Sequence, residues 1–240
     1  MRIVELIEAS SPNDHEKILT NILKNLVSSE ELEDTVTGLL LTLEDGSSLY
    51  LLSHEGEDAG FIIVTPLSED EEKLTKIDLV SIDEIWVKAN HENRATAEVI
   101  ANAIRGIVEK YKCKDVEIIV PQSIMWLAEV LQENGYYCAE IKLEKVLPTP
   151  NNLGDVLELI QDSMPVDRII QVLFEHEDEL RAEIIEEMDE VQELFDEGWQ
   201  PTIVVVTFEP ESMDINETIE QSNALINWDD YNLIYRGEYD

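Results

Sequence analysis

Cysteine and basic side chains are both scarce in this 240-residue chain. Its two cysteines, Cys113 and Cys138, are too few for a disulfide framework. They are expected to be small, semi-buried hydrophobes in a reducing compartment. No apolar run approaches the roughly 18 residues that cross a membrane. The stretch "MRIVELIEASSPNDHEKI" has no basic region ahead of an apolar one, so no secretory signal is expected. These features lead to an expected cytoplasmic location with no membrane partner. The phosphate loop G-x-x-x-x-G-K-S/T and the nucleophile elbow G-x-S-x-G are absent as well. His15, His54, His91 and His176 share no metal-ligand spacing with each other or with the cysteines, and "EHEDELRAEIIEEMDE" lacks the Glu-x-x-His spacing of di-iron helices. No metal is expected.

Charge is abundant in one sign only. Sixteen Lys and Arg face 54 Asp and Glu, a net of −38. Such a surface repels nucleic acid and anionic membranes and steers toward basic partners. The acids are unevenly spread. Lys73 to Lys145 holds ten bases and twelve acids, a net of −2, which leaves −36 on the other 167 residues. An anionic ligand would be best tolerated in that nearly neutral segment.

Periodicity and turn residues predict a mixed α/β layer. "MRIVELI" reads as a strand and "SPNDHEKILTNILKNL" as a helix entered through Ser11 and Pro12. "TGLLLTLEDGSSLYLLS" reads as a hairpin turning at Asp45-Gly46. "AGFIIVTPL" and "IDEIWVKA" are further strands. From Thr96 to Tyr111 the apolar residues Val99, Ile100, Ala103, Ile104, Ile107 and Val108 recur at helical spacing. "DVEIIVP" is a strand, "QSIMWLAEVLQEN" a helix closed by Gly135, and "YYCAEIKLEKVL" a last alternating strand.

From Met1 to about Leu147 this order resembles the GNAT superfamily of acetyl-CoA-dependent N-acetyltransferases. The most specific part is Ile82 to Leu143: strand, arginine-containing loop into a helix, strand, short helix ending in "ENGYY", strand. The resemblance implies a mixed, mostly antiparallel sheet flanked by helices. It also implies acetyl-CoA as cofactor, its pyrophosphate held where the fourth strand meets the long helix by a Q/R-x-x-G-x-G/A motif. Arg94 stands at the first motif position, Ala97 at the first glycine position and Val99 at the second. Arg94 and the N–H groups of Ala95, Thr96 and Ala97 would then hold the pyrophosphate. The family often places its general base near the fourth strand, where Glu84 stands; period-two alternation puts it on one face with Ile82, Trp86 and Lys88. Three positions depart from the pattern. Both motif glycines are replaced, and Val99 is β-branched. Leu131, which cannot donate a proton, stands where the family often has a tyrosine acid.

Beyond Leu147, "PTPNN" reads as a linker, giving expected domains of 1–147 and 153–240 joined by 148–152. Residues 151–240 hold 25 acids and three bases, a net of −22. Leu153, Val156, Leu157 and Ile160 mark a short amphipathic helix. Pro165 is expected to open a long one, striped by Ile169, Leu173, Leu180, Ile184, Met188, Val191 and Phe195 and stopped by Gly198. "TIVVVTF" reads as a buried strand, added to a sheet edge or part of a small second layer, "INETIEQSNALI" as a helix and "YNLIYRGEY" as a short terminal strand or arm.

Two functions of different class follow. One is a weak or degenerate CoA-dependent N-acyltransferase acting on a basic, amine-bearing substrate, with Glu84 as base. The other is a non-catalytic acidic interaction protein. Its long helix would imitate DNA's phosphates, as phage-type inhibitors do, and bind a basic, nucleic-acid-binding protein through Glu183, Glu186, Glu187 and Glu190.

Overall fold

Apolar side chains recur along the chain at strand and helix spacings, and the strand pairing fixes which faces they cover. The computed structural model describes residues 4–8, 12–24, 26–29, 31–44, 46–54, 57–68, 77–148, 152–163, 169–176, 179–210 and 228–238. The chain forms two compact units, residues 1–137 with 235–240, and residues 138–234.

The first unit runs β1 (Val4–Glu8), α1 (Pro12–Leu23), α2 (Leu32–Glu44), β2 (Ser48–His54), β3 (Glu57–Leu67), β4 (Leu79–Val87), α3 (Arg94–Tyr111), β5 (Asp115–Pro121) and α4 (Ala128–Glu133), the last entered through a 3-10 turn at Gln122–Leu127. Its strand order is β1-β2-β3-β4-β5, antiparallel except for the parallel β4–β5 pair. One sheet face packs on α1 and α2: Leu19, Ile22 and Leu23 meet Leu49, Phe61 and Ile63, all essentially inaccessible to water. Each such side chain, fully buried, contributes about 1.5–3 kcal/mol. The other face meets α3, where Lys110 donates to the Tyr50 hydroxyl at 3.1 Å and the Ser48 and Tyr111 hydroxyls lie 3.1 Å apart.

The expected hairpin at Asp45-Gly46 is not formed. Residues 32–44 are helical, because Val36, Leu39, Leu40 and Leu43 share one helical face that covers β2 and β3. Gly46, at φ +101°, follows the helix end.

The second unit contains β6 (Tyr137–Val146), α5 (Leu153–Ser163), β7 (Ile169–His176), β8 (Glu179–Ile184), α6 (Met188–Asp196), β9 (Gln200–Phe208) and the first half of β10 (Asp230–Glu238). Its strand order is β10-β6-β9-β7-β8. The face bearing Leu143, Val172, Phe174, Val204 and Val206 is buried, as are Val156 and Ile160 of α5 and Val191 and Leu194 of α6.

This unit corrects the expectation of a long acidic helix. Residues 169–184 are a β-hairpin, and only 188–196 are helical. Glu183 lies on β8, Glu186 and Glu187 precede α6, and Glu190 is in its first turn, so these four acids form no rod. "TIVVVTF" also lies inside its sheet, between β6 and β7, rather than at an edge. The helix expected at "INETIEQSNALI" falls outside the described residues.

The acidic segment is not a C-terminal extension. Asp229 donates its N–H to the Glu144 carbonyl at 2.9 Å and accepts the Val146 N–H at 2.9 Å, so the end of β6 meets the start of β10. Residues 148–228 are therefore an insertion between two neighbouring strands. The second half of β10 belongs to the first unit, where Tyr235 is fully buried and Arg236 pairs with Glu117 of β5 at 3.0 Å. Along the chain the units change over between Tyr137 and Cys138 and between Ile234 and Tyr235. Among the described residues, no helix is long and apolar enough to cross a membrane.

Candidate functional site

Strands β4 and β5 pair from Leu79↔Asp115 to Ile82↔Ile118, yet β4 continues to Val87 and β5 to Pro121. The parallel pair therefore opens toward its C-terminal ends, where open α/β sheets place their ligands. The opening starts at a β-bulge. Ile63 faces Glu84 and Val64 faces Ile82, which leaves Asp83 as the extra residue. Asp83 accepts hydrogen bonds from the Thr65 and Ser81 hydroxyls, which fix the bulge in place.

The bulge redirects the strand's side chains. Ile82 shares a face with Val64, whereas Glu84 and Trp86 lie opposite Ile63 and Phe61 on the α1–α2 face. The expected common face for Ile82 and Glu84 is thereby corrected, because one extra residue inverts the alternation. Burial pushes the Glu84 carboxyl above the usual glutamate range, the Trp86 hydrogen bond opposes the shift, and the Asp83 charge adds to it. Trp86 Nε1 donates to Glu84 Oε2 at 2.8 Å, while the Trp86 ring stacks on Phe61 with centroids 6.2 Å apart. A half-buried carboxylate held by one indole N–H can accept a proton.

Helix α3 starts beyond the end of β4. Its cap, Asn93, is extended, and its side-chain oxygen accepts the Thr96 N–H at 3.2 Å. The Ala97 N–H bonds to the Asn93 carbonyl at 3.1 Å. Two of the expected phosphate donors are thus engaged inside the protein, and both residues are fully buried. Arg94 and Ala95 are the first helical residues, whose N–H groups no preceding helical carbonyl reaches. The Arg94 side chain bonds to Glu98 at 3.2 Å and to Glu133, with Glu129 4.0 Å away. An arginine ringed by three carboxylates offers a diphosphate less field than a bare one. The residues fit a diphosphate at Arg94 and Ala95 and not at Thr96 and Ala97. Glu84 and this turn stand on opposite faces of the sheet.

Leu131, at the expected acid position, is fully buried in α4, and its carbonyl accepts the Tyr136 N–H at 3.1 Å as Gly135 turns the chain at φ +92°. Burial raises the Cys138 thiol to about 11 and the Cys113 thiol in the same direction, so neither is a thiolate near neutral pH. Among the described residues, no group of three or more His, Cys, Asp or Glu is placed to hold a metal. A cavity of about 420 Å³ in the first unit lies at the other, N-terminal ends of β4 and β5, lined by Asp78, Asp115, Glu117, Tyr137 and Arg236.

No family model matches this sequence, and no curated protein is similar to it in sequence. Solved structures are similar to it. A GNAT family acetyltransferase from Elizabethkingia anophelis with acetyl-CoA bound is 13% identical over 86% of this chain and 98% of that one, with a TM-score of 0.40. An acetyltransferase of the GNAT family from Streptococcus pneumoniae is 14% identical over 62% and 93%, at 0.40. A Bacillus subtilis acetyltransferase in complex with CoA is 13% identical over 87% and 99%, at 0.39. These likenesses extend no ligand, residue role or activity to this chain.

The bulge at Asp83 is the feature that reading the sequence missed. Its signal is the adjacent acids of "SIDEIW", two polar neighbours inside a strand that otherwise alternates.

Proposed function

We propose that the chain is a CoA-dependent N-acyltransferase acting on an amine-bearing, basic substrate. The observation that carries this reading is the opening of β4 from β5 at the Asp83 bulge, with a half-buried Glu84, its carboxyl pKa raised, one residue beyond it. Arg94 and the Ala95 N–H would hold the coenzyme's diphosphate on one face of the sheet, and the opening between β4 and β5 would give its acyl end access to Glu84 on the other. Acetyl-CoA, when bound, would supply a thioester carbonyl for an amine to attack; the C–S bond breaks, and the CoA thiolate leaves and takes up a proton from solvent. Glu84 takes the proton that the amine loses, and Trp86 Nε1 keeps the carboxylate oriented for it. The acidic surface raises the local concentration of a cationic substrate.

A second reading is favoured by the ring of Glu98, Glu129 and Glu133 around Arg94. In it, the GNAT-like scaffold no longer binds coenzyme, and the acidic surface, including Glu183, Glu186, Glu187 and Glu190, engages a basic protein.

One measurement separates the two. On the first reading millimolar acetyl-CoA raises the melting temperature, because a ligand at 100 times its Kd adds about 2.7 kcal/mol. Arg94→Glu abolishes the rise. A wild-type chain whose melting temperature does not respond rejects the acyltransferase reading.

A further inference from the structure

Strand β8 ends its sheet, and among the described residues nothing pairs with its outer side. Edge strands are ordinarily blunted by charged side chains, proline, a bulge or short length. Glu179–Ile184 has no proline and an unbroken register with β7, and its charges, Glu179, Arg181 and Glu183, all lie on one face. Its apolar side chains are also uncovered. Leu180 is 70% exposed and Ile184 60%, and Ile169 and Val146 of the same unit are each more than half exposed. The registers of β6, β9, β7 and β8 place these four residues on one sheet face, opposite the face that carries Val172, Phe174 and Val204. In a chain that is 29% charged, such a face is conspicuous.

We propose that β8 pairs antiparallel with β8 of a second copy of this chain, about a two-fold axis at Ala182. The register of β7 and β8 decides which backbone groups are available. The Ile185 N–H bonds to the Ile170 carbonyl at 2.8 Å, and Arg181 and Glu183 lie at the same phase opposite Phe174 and Val172. The N–H and C=O groups of Leu180, Ala182 and Ile184 therefore point away from β7. An axis at Ala182 lets Ala182 bond to its own copy and Leu180 to Ile184 of the copy.

The side chains select the same register. Read about Ala182, "LRAEI" is self-complementary: Leu180 meets Ile184 on the open face, and Arg181 meets Glu183 on the other. Arg181 and Glu183 already pair within one strand at 2.5 Å, so both are at hand to cross the axis. An axis at Arg181 or at Glu183 would instead set like charges opposite each other, which is destabilising. Ala182 is small enough to leave the axis open. Such an isologous contact closes on itself and stops at the dimer.

The test is the mass of the full-length chain in solution, by sedimentation equilibrium at about 0.15 M salt, where the Debye length is about 8 Å and the repulsion between two acidic chains is screened. The wild type is expected to be dimeric at high micromolar concentration. Ala182→Pro removes the central N–H, which points outward and serves no bond to β7, and is expected to give a folded monomer by circular dichroism. Arg181→Glu and Glu183→Arg each put like charges across the axis and are expected to be monomeric; combined, they restore the pairing and the dimer. A monomeric wild type, which would leave β8 to an extended strand of another protein, overturns the proposal. So does a dimer that survives both Ala182→Pro and the single charge reversals, or a double reversal that stays monomeric.

Discussion

Arg94 is tied to Glu133, thirty-nine residues further along the chain, and Glu98 and Glu129 complete an acidic ring about it. The guanidinium that would grip a diphosphate is thus already neutralised. Exposed ion pairs are weak, so releasing Arg94 costs a ligand only a few-fold in affinity. Glu133→Gln is expected to tighten acetyl-CoA binding by a few-fold in calorimetry, and Arg94→Glu to abolish it. Tightening would show that the ring tunes a working site. No binding by either the wild type or Glu133→Gln favours the non-catalytic reading.

Glu84 supplies a second prediction, with a definite sign. Burial raises its carboxyl pKa in the folded chain, so the native state holds the proton more tightly than the unfolded one. Its contribution to stability is full in acid and is lost as pH rises through the raised folded value. Glu84→Gln, which cannot ionise, should gain on the wild type in urea midpoint from acid toward neutral pH. The same substitution should lower acyl transfer about 10²–10⁴-fold if Glu84 is the base. A stability gain with unchanged transfer would leave Glu84 structural and move the base elsewhere.

The closing of the first unit by β10 gives a third. A Cβ at Gly237 would come within 2.7 Å of the Tyr136 ring, a contact real side chains do not make. Gly237→Ala should cost about 1–3 kcal/mol by overpacking. A fragment ending at residue 147 lacks Tyr235, whose hydroxyl accepts from Gln132 Nε2 at 3.3 Å, and is expected to be poorly folded. Replacing residues 148–228 by a short turn should restore a folded first unit, since Asp229 already bridges to Glu144 and Val146. A stable 1–147 fragment would restore the linker boundary.

The first unit was largely legible in the sequence. β5, α3 and the Gly135 turn follow from alternation, from helical spacing and from a glycine at positive φ. The misread α2 carries "GLLLTL", a run apolar enough to suit a strand or a helix until tertiary packing decides. In the second unit, β7 carries apolar residues on both faces: Ile170, Val172 and Phe174 are buried, while Ile169 and Leu173 fall by chance on a helical spacing of four and seven residues that continues through Leu180 and Ile184. That spacing imitated a helix, and strand pairing overrode it. For the candidate site, composition and order located Glu84 and Arg94. The bulge that turns one of them and the carboxylates that surround the other depend on residues distant in the chain, Thr65 and Glu133 among them.

The last prediction concerns the acidic surface of the second unit. Reversing Glu183, Glu186, Glu187 and Glu190 together would confuse recognition with folding. Glu190 accepts the Glu186 and Glu187 N–H groups at 3.0 and 3.3 Å, and losing such a cap costs about 1 kcal/mol. Glu183 pairs with Arg181. Glu186, Glu193 and Glu197 are exposed, so their reversal to lysine should leave the melting temperature nearly unchanged. If this surface recognises a basic partner, the triple reversal should weaken binding to immobilised poly-lysine more than reversal of the exposed Glu16, Glu92 and Glu109 in the first unit. The difference should shrink with salt as the Debye length falls from about 10 Å at 0.1 M to about 3 Å at 1 M. Equal losses from the two sets would show that only the total charge matters, and the acids around α6 would then be a solvated face.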